Sequence, residues 1–152
     1  MHPKRLRHVI HQMKGRSISR DLIDEIRDNA SEVFDALILG VQNKEFTENQ
    51  VMHSLDIMRD LLRNKCFGRQ NELILAAMSV LTPGNMHIAS KALTVCTLLL
   101  ITNKVSEEYF PIDGDVKKRL LDTISNIDTE KYDERSVKYQ RECFELYGIG
   151  SE

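Results

Sequence analysis

The sequence predicts an all-α protein, a short α–α superhelix of about three stacked helical hairpins that contain six to seven helices. Three observations carry this. Apolar residues recur at i, i+3, i+4 and i+7 through most of the chain, the period of one helix face. No segment of useful length alternates with period two, as a half-buried strand would. Paired helical segments begin near Ser19, Arg69 and Asp115, starts that fall 46–50 residues apart, close to the period of roughly 40–47 residues in helical solenoids. One hairpin alone would leave a hydrophobic face exposed, and stacking buries it. The 152 residues suffice for one domain with a substantial core. The expected organisation is therefore a single helical domain over residues 1–152, with a short basic helix over 1–15 and hairpins over 19–65, 69–103 and 115–147.

The elements follow in order. Pro3 suits a first helical turn, where its missing N–H costs nothing, and Leu6, Val9, Ile10 and Met13 form a narrow stripe that ends at Gly15. Ser19 is a favourable N-cap. Leu22, Ile23, Ile26, Ala30, Val33, Phe34, Leu37 and Ile38 then predict one sustained helix ending around Gly40 to Asn43. Thr47 with Gln50 reads as a capping box, and Val51, Leu55, Met58 and Leu62 continue on one face. Cys66-Phe67-Gly68 breaks the pattern, after which Leu73, Ile74, Ala77, Met78 and Leu81 give a shorter helix. Thr82-Pro83-Gly84-Asn85 is a turn, since Pro presets φ and Gly tolerates the positive φ that follows. From Ile88 to Leu100 the segment is apolar nearly all round, which predicts a central core helix covered on most sides. Leu93, Cys96, Leu99, Phe34 and Leu37 are expected to be deeply buried. Val116, Leu120, Leu121, Ile124 and Ile127 mark the next helix, capped by Asp113 or Asp115. The last helix carries Val137, Tyr139, Cys143, Phe144, Leu146 and Tyr147 and stops at Gly148.

Composition narrows the function classes. With 41% hydrophobic and 29% charged residues the chain is an ordinary globular sequence, which excludes general disorder. The net charge of −2 hides an asymmetry. Residues 1–20 hold Lys4, Arg5, Arg7, Lys14, Arg16 and Arg20 and no acid, so the rest of the chain has an acidic excess. Cys66, Cys96 and Cys143 are scattered, with no metal-knuckle or redox spacing, and a reducing cytoplasm is the expected location. The basic N-terminus lacks the apolar core of a secretory signal, and the uninterrupted run around Leu98–Ile101 is too short to span a bilayer.

Several constellations invite chemistry and yield to plainer readings. His8 and His11 lie at i, i+3 near His2, but no Asp, Glu or Cys in that segment completes a metal site, and a solvated polar face is favoured. The basic first segment offers phosphate contacts, but it lacks interleaved aromatics and the acidic body repels phosphate, so nucleic acid is a third choice. A basic cap that balances the acidic body, or meets an acidic patch on a partner, is preferred. Asp113-Gly114-Asp115 lacks the closing Glu of a calcium loop and is followed by Lys117, Lys118 and Arg119; a turn with an N-cap explains it better. His53 and His87 lie near Cys66 and Cys96 in sequence, yet a thiol inside the core helix is inert. There is no Gly-rich phosphate loop, GxSxG elbow or HExxH motif. The expectation is a non-enzymatic chain with no cofactor and no metal.

The acids are more informative. Asp21, Asp24, Glu25, Asp28, Glu32 and Asp35 line the second helix, and a second set clusters in the connections around the last hairpin. Glu107, Glu108, Asp113 and Asp115 lie in the longest irregular connection, and connections often carry binding groups. Glu130, Asp133 and Glu134 follow as the second choice. Together these seven are the expected contacts for a basic protein partner.

LILAAMSVL over residues 73–81, a Pro-Gly turn and ASKALTVCTLLL over 89–100 resemble a HEAT or armadillo-type helical repeat, through small residues (Ala76, Ala77, Ala89, Ala92) that let two helices approach closely. The resemblance covers about a fifth of the chain well and implies a protein-binding scaffold with no catalytic residues to carry over. Size, acidic body and absence of chemistry are also similar to bacterial immunity proteins, which implies a cytoplasmic inhibitor that blocks a basic, nuclease-type toxin. A small adaptor or regulatory subunit with a peptide-binding groove is the principal alternative.

Overall fold

The computed structural model describes every residue except Phe67, Pro83, Ser151 and Glu152. The break and the turn read through Phe67 and Pro83 lie at those two positions outside the described residues. Among the described residues the protein is all-α, with eight α-helices, one short 3-10 turn and no strand. The chain divides into two compact units, Met1–Arg69 and Gln70–Glu152.

The first unit holds α1 (Pro3–Gln12), α2 (Arg20–Asp28), α3 (Ala30–Gln42) and α4 (Glu48–Asn64). Val9 of α1 and Met13 at its C-cap are fully buried, as the stripe predicts. Ser19 caps α2 by accepting from the Leu22 N–H at 3.2 Å, and both bonds of the Thr47–Gln50 capping box form. One expectation is corrected: the stretch from Ser19 to Gly40 is two helices. Asn29 interrupts it at φ −125°, where its side-chain amide donates to the Glu25 carbonyl at 2.9 Å in place of the backbone N–H. Asn competes with the backbone in this way, which is why it disfavours helix interiors. Phe34 and Leu37 of α3 are buried, and α3 packs on α4. The Phe46 ring packs directly on Gly40, where a Cβ would stand 2.0–2.4 Å from it and would have to displace the ring.

The second unit holds α5 (Gln70–Met78), α6 (Met86–Val105), α7 (Gly114–Ser125) and α8 (Glu134–Tyr147). Helix α6 is its core, with Leu93 and Cys96 fully buried and Leu99 nearly so. By length and composition alone α6 could cross a membrane; its burial within the unit explains that apolar character. The remaining helices pack in a repeat-like way, α5 against α6 and α7, and α6 against α8. The Asp113 N–H donates to Asn71 Oδ1 at 2.9 Å, so α7 starts beside the start of α5. The Asp133 N–H donates to Ser90 Oγ at 3.1 Å, and the Tyr147 hydroxyl donates to the Leu100 carbonyl at 2.8 Å. Helix α8 therefore runs parallel to α6, start beside start and end beside end. First helix stacks on first helix and second on second.

A second expectation changes at α8. Its buried stripe is Ser136, Gln140 and Cys143, whereas Val137, Tyr139 and Phe144 are only half-buried and Leu146 is exposed. The small Ser136 and Cys143 side chains let α8 lie close to α6, the most extensive helix pair among the described residues. Gln140 retains its polar group by donating to the Ile124 carbonyl at 2.8 Å.

Candidate functional site

The stacking fixes where the candidate acids stand. Because α5 and α7 run opposite to α6 and α8, the second unit has two ends separated by the helix lengths, about 20–30 Å at 1.5 Å per residue. The seven carboxylates divide between them. Glu107, Glu108, Asp113 and Asp115 lie at the end formed by the C-terminus of α6 and the N-terminus of α7; Glu130, Asp133 and Glu134 lie at the other, around the N-terminus of α8. All seven are exposed.

At the α8 end two acids terminate helical segments, while Glu130 and Glu134 stand exposed in the first turns that follow. Asp133 accepts from the Ser136 N–H at 2.8 Å, and Asp128 accepts from the Glu130 N–H at 3.2 Å. Tyr132 anchors this end by donating to the buried Leu81 carbonyl at 2.7 Å. Beside it opens a cavity of about 370 Å³ lined by Met78, Leu81, Ile127, Asp128, Lys131 and Tyr132, among others.

At the α6–α7 end the acids are not used this way. Asp113 occupies the N-cap position of α7, as expected, but its side chain makes no capping bond. Glu107 and Glu108 stand in the connection itself, beside two residues that no apolar periodicity singles out: Tyr109 is 82% exposed and Val105 75%. Beneath them lies a fixed polar platform. Asn103 is buried and donates to the Phe110 carbonyl at 2.8 Å, which holds the connection down. Its Oδ1 accepts from Lys117 Nζ at 3.3 Å and lies 2.9 Å from the Tyr147 hydroxyl. Lys104 and Lys117 flank the Tyr147 ring at 5.5 and 6.0 Å. Burial, with the nearby Cys143 and Glu107, pushes the Tyr147 hydroxyl up to about 12, so it stays a donor at physiological pH.

No known protein family, curated protein or solved structure matches this chain. The remaining candidates are therefore placed by geometry alone. The acidic face of the first unit is engaged in part: Glu25 holds Arg5, Glu32 the terminal amine at 2.9 Å and Asp35 Arg69 at 2.5 Å, while Asp21, Asp24 and Asp28 are exposed; on α4, Asp60 holds Arg27 at 3.1 Å. Arg69 also lies over the Phe34 ring at 4.3 Å. Cys66, Cys96 and Cys143 are free and buried. Burial pushes the Cys96 and Cys143 thiols up to about 12, the state of an inert thiol. Among the described residues no three His, Cys, Asp or Glu side chains gather where they could hold a metal ion.

Proposed function

We propose that the protein is a non-enzymatic binding module whose docking surface is the α6–α7 end of the second unit. The observation that carries this reading is the exposure of Val105 at the end of α6 and of Tyr109 beside Glu107 and Glu108, on the connection held by the buried Asn103. An exposed aromatic flanked by charge has the anatomy of an interface centre with a polar rim. The carboxylates favour a basic partner and steer its approach. A nuclease-type toxin domain is the partner class to test first, with the chain as its inhibitor. The supporting experiment reverses Glu107, Glu108, Asp113 and Asp115 to Lys. The helical circular-dichroism signal should persist while association with a cognate basic toxin slows at least 10-fold and the parent's salt sensitivity is lost. Unchanged binding and protection would sink the acidic-end mechanism.

One observation favours a second reading, a peptide-binding adaptor: the mainly apolar cavity at the opposite end, whose volume lies in the range of small-ligand sites. Replacing Ile127 with Asp would abolish binding under that reading and leave it intact under the first.

A further inference from the structure

The outward face of α1 carries a charge pattern that its role as a cap does not explain. Lys4, Arg7, His8 and His11 lie at i, i+3, i+4 and i+7, and Lys14 continues the stripe in the turn that follows; all are exposed. Leu6, Val9, Ile10 and Met13 occupy the opposite side, with Val9 and Met13 fully buried. Arg5 and the terminal amine pair with Glu25 and Glu32, and His8 lies close enough to Glu25 to interact with its charge. Among the described residues Lys4, Arg7 and Lys14 form no ion pair. Other solvent faces here are mixed: α8 presents Glu134, Arg135, Lys138, Arg141, Glu142 and Glu145. Like charges three and four residues apart disfavour a helix, and no ion pair to Lys4, Arg7 or Lys14 offsets them among the described residues.

The helix is nevertheless firmly mounted. Gln50 donates to the Ile10 carbonyl and Asn49 to the Lys14 carbonyl, each at 2.9 Å, and His53 bonds the Gly15 carbonyl at 2.9 Å. These bonds engage backbone groups and leave the cationic side chains outward. The same mounting argues against an inserted membrane anchor, because the apolar side of α1 is already buried. The absence of aromatic residues on the face argues against stacking on unpaired bases. Glu25 and Glu32 are paired, and acids more than about 10 Å away are screened at 0.1 M salt.

We propose that this face of α1 binds the phosphate backbone of a nucleic-acid duplex, without sequence preference. The binding is independent of the acidic docking end. Three full cations should give a slope of log K against log salt of about −2.7. Raising salt from about 50 to 200 mM would then weaken binding about 40-fold.

The test is fluorescence anisotropy of a labelled mixed-sequence duplex titrated with the full chain. Saturable binding with that salt dependence is expected. The charge reversal K4E/R7E/K14E should abolish it, while the matched reversal K118E/K138E/R141E should leave it within about twofold. If the first variant does not fold, the neutral K4Q/R7Q/K14Q chain and the salt slope of the parent carry the test. Several results would overturn the proposal: no saturation at low salt, equal weakening by both reversals, or tighter binding to a single strand. Equal competition by polyglutamate or by anionic vesicles would do so as well, since it would assign the face to an acidic protein or a lipid surface.

Discussion

Both ends of the second unit carry exposed carboxylates, but they hold them for different purposes. Around the start of α8, Asp128 and Asp133 accept backbone N–H groups and so terminate helical segments. At the α6–α7 end, Asp113 occupies the capping position without making the bond, and Glu107 and Glu108 stand beside an exposed Tyr109. The first unit adds a third case, in which Glu25, Glu32, Asp35 and Asp60 each hold a cation. An acid that caps a helix or pairs a cation has a structural reason to be there. Among the acids that do neither, Glu107 and Glu108 are set apart by the exposed Tyr109 beside them, and a partner is to be sought there first.

The strongest perturbation removes what both ends share. Leu99 is 3% exposed on α6, and Leu99→Ala should cost about 2–5 kcal/mol through lost packing and the cavity left behind. Denaturant unfolding checks this; a loss below about 1 kcal/mol would mean that α6 is not the common support.

Alkali comes next. Cys96, Cys143 and Tyr147 are pushed up to about 12 by burial, against ordinary values of 9.0 for a thiol and 10.0 for a phenol. The unfolded chain therefore loses these protons first. Stability is fully present below pH 9 and declines as pH rises toward 12. Because Glu107 contributes to the Tyr147 shift, Glu107→Gln should lower the Tyr147 midpoint and leave Tyr132 at the opposite end unchanged. Tyrosinate absorbance, assigned with Tyr→Phe variants, reads both.

A smaller effect separates the two ends directly. Asp133→Ala should cost about 1 kcal/mol as a lost helix cap. Asp113→Ala, where no capping bond exists, should change stability by less than about 0.5 kcal/mol. Equal losses in thermal unfolding would erase the distinction.

How much of this was legible in the sequence depended on the kind of signal. Helix α6 and its buried Leu93, Cys96 and Leu99 could be read from apolar residues nearly all round, and Thr47 with Gln50 announced its cap. The break at Asn29 was hidden because apolar periodicity continues across it; the signal was a polar side chain able to replace one backbone donor. Helix α8 misled for the opposite reason. Its contact stripe is Ser136, Gln140 and Cys143, small or polar, while its larger apolar residues flank the contact. The candidate acids were visible as residues, but not their division between two ends, since that follows from α8 running parallel to α6. Tyr109 and Val105 stand out only through their exposure.

The most direct measurement of the central claim compares three forms of the chain as bait in the same lysate of the source cell. These are the parent, a form with Glu107, Glu108, Asp113 and Asp115 reversed to Lys, and a form with Glu130, Asp133 and Glu134 reversed, each first confirmed to be folded. The captured proteins are quantified by mass spectrometry. The account predicts a basic protein held by the parent and by the second reversal, and lost at least 10-fold by the first. Retention by the first reversal, or loss only with the second, would contradict it.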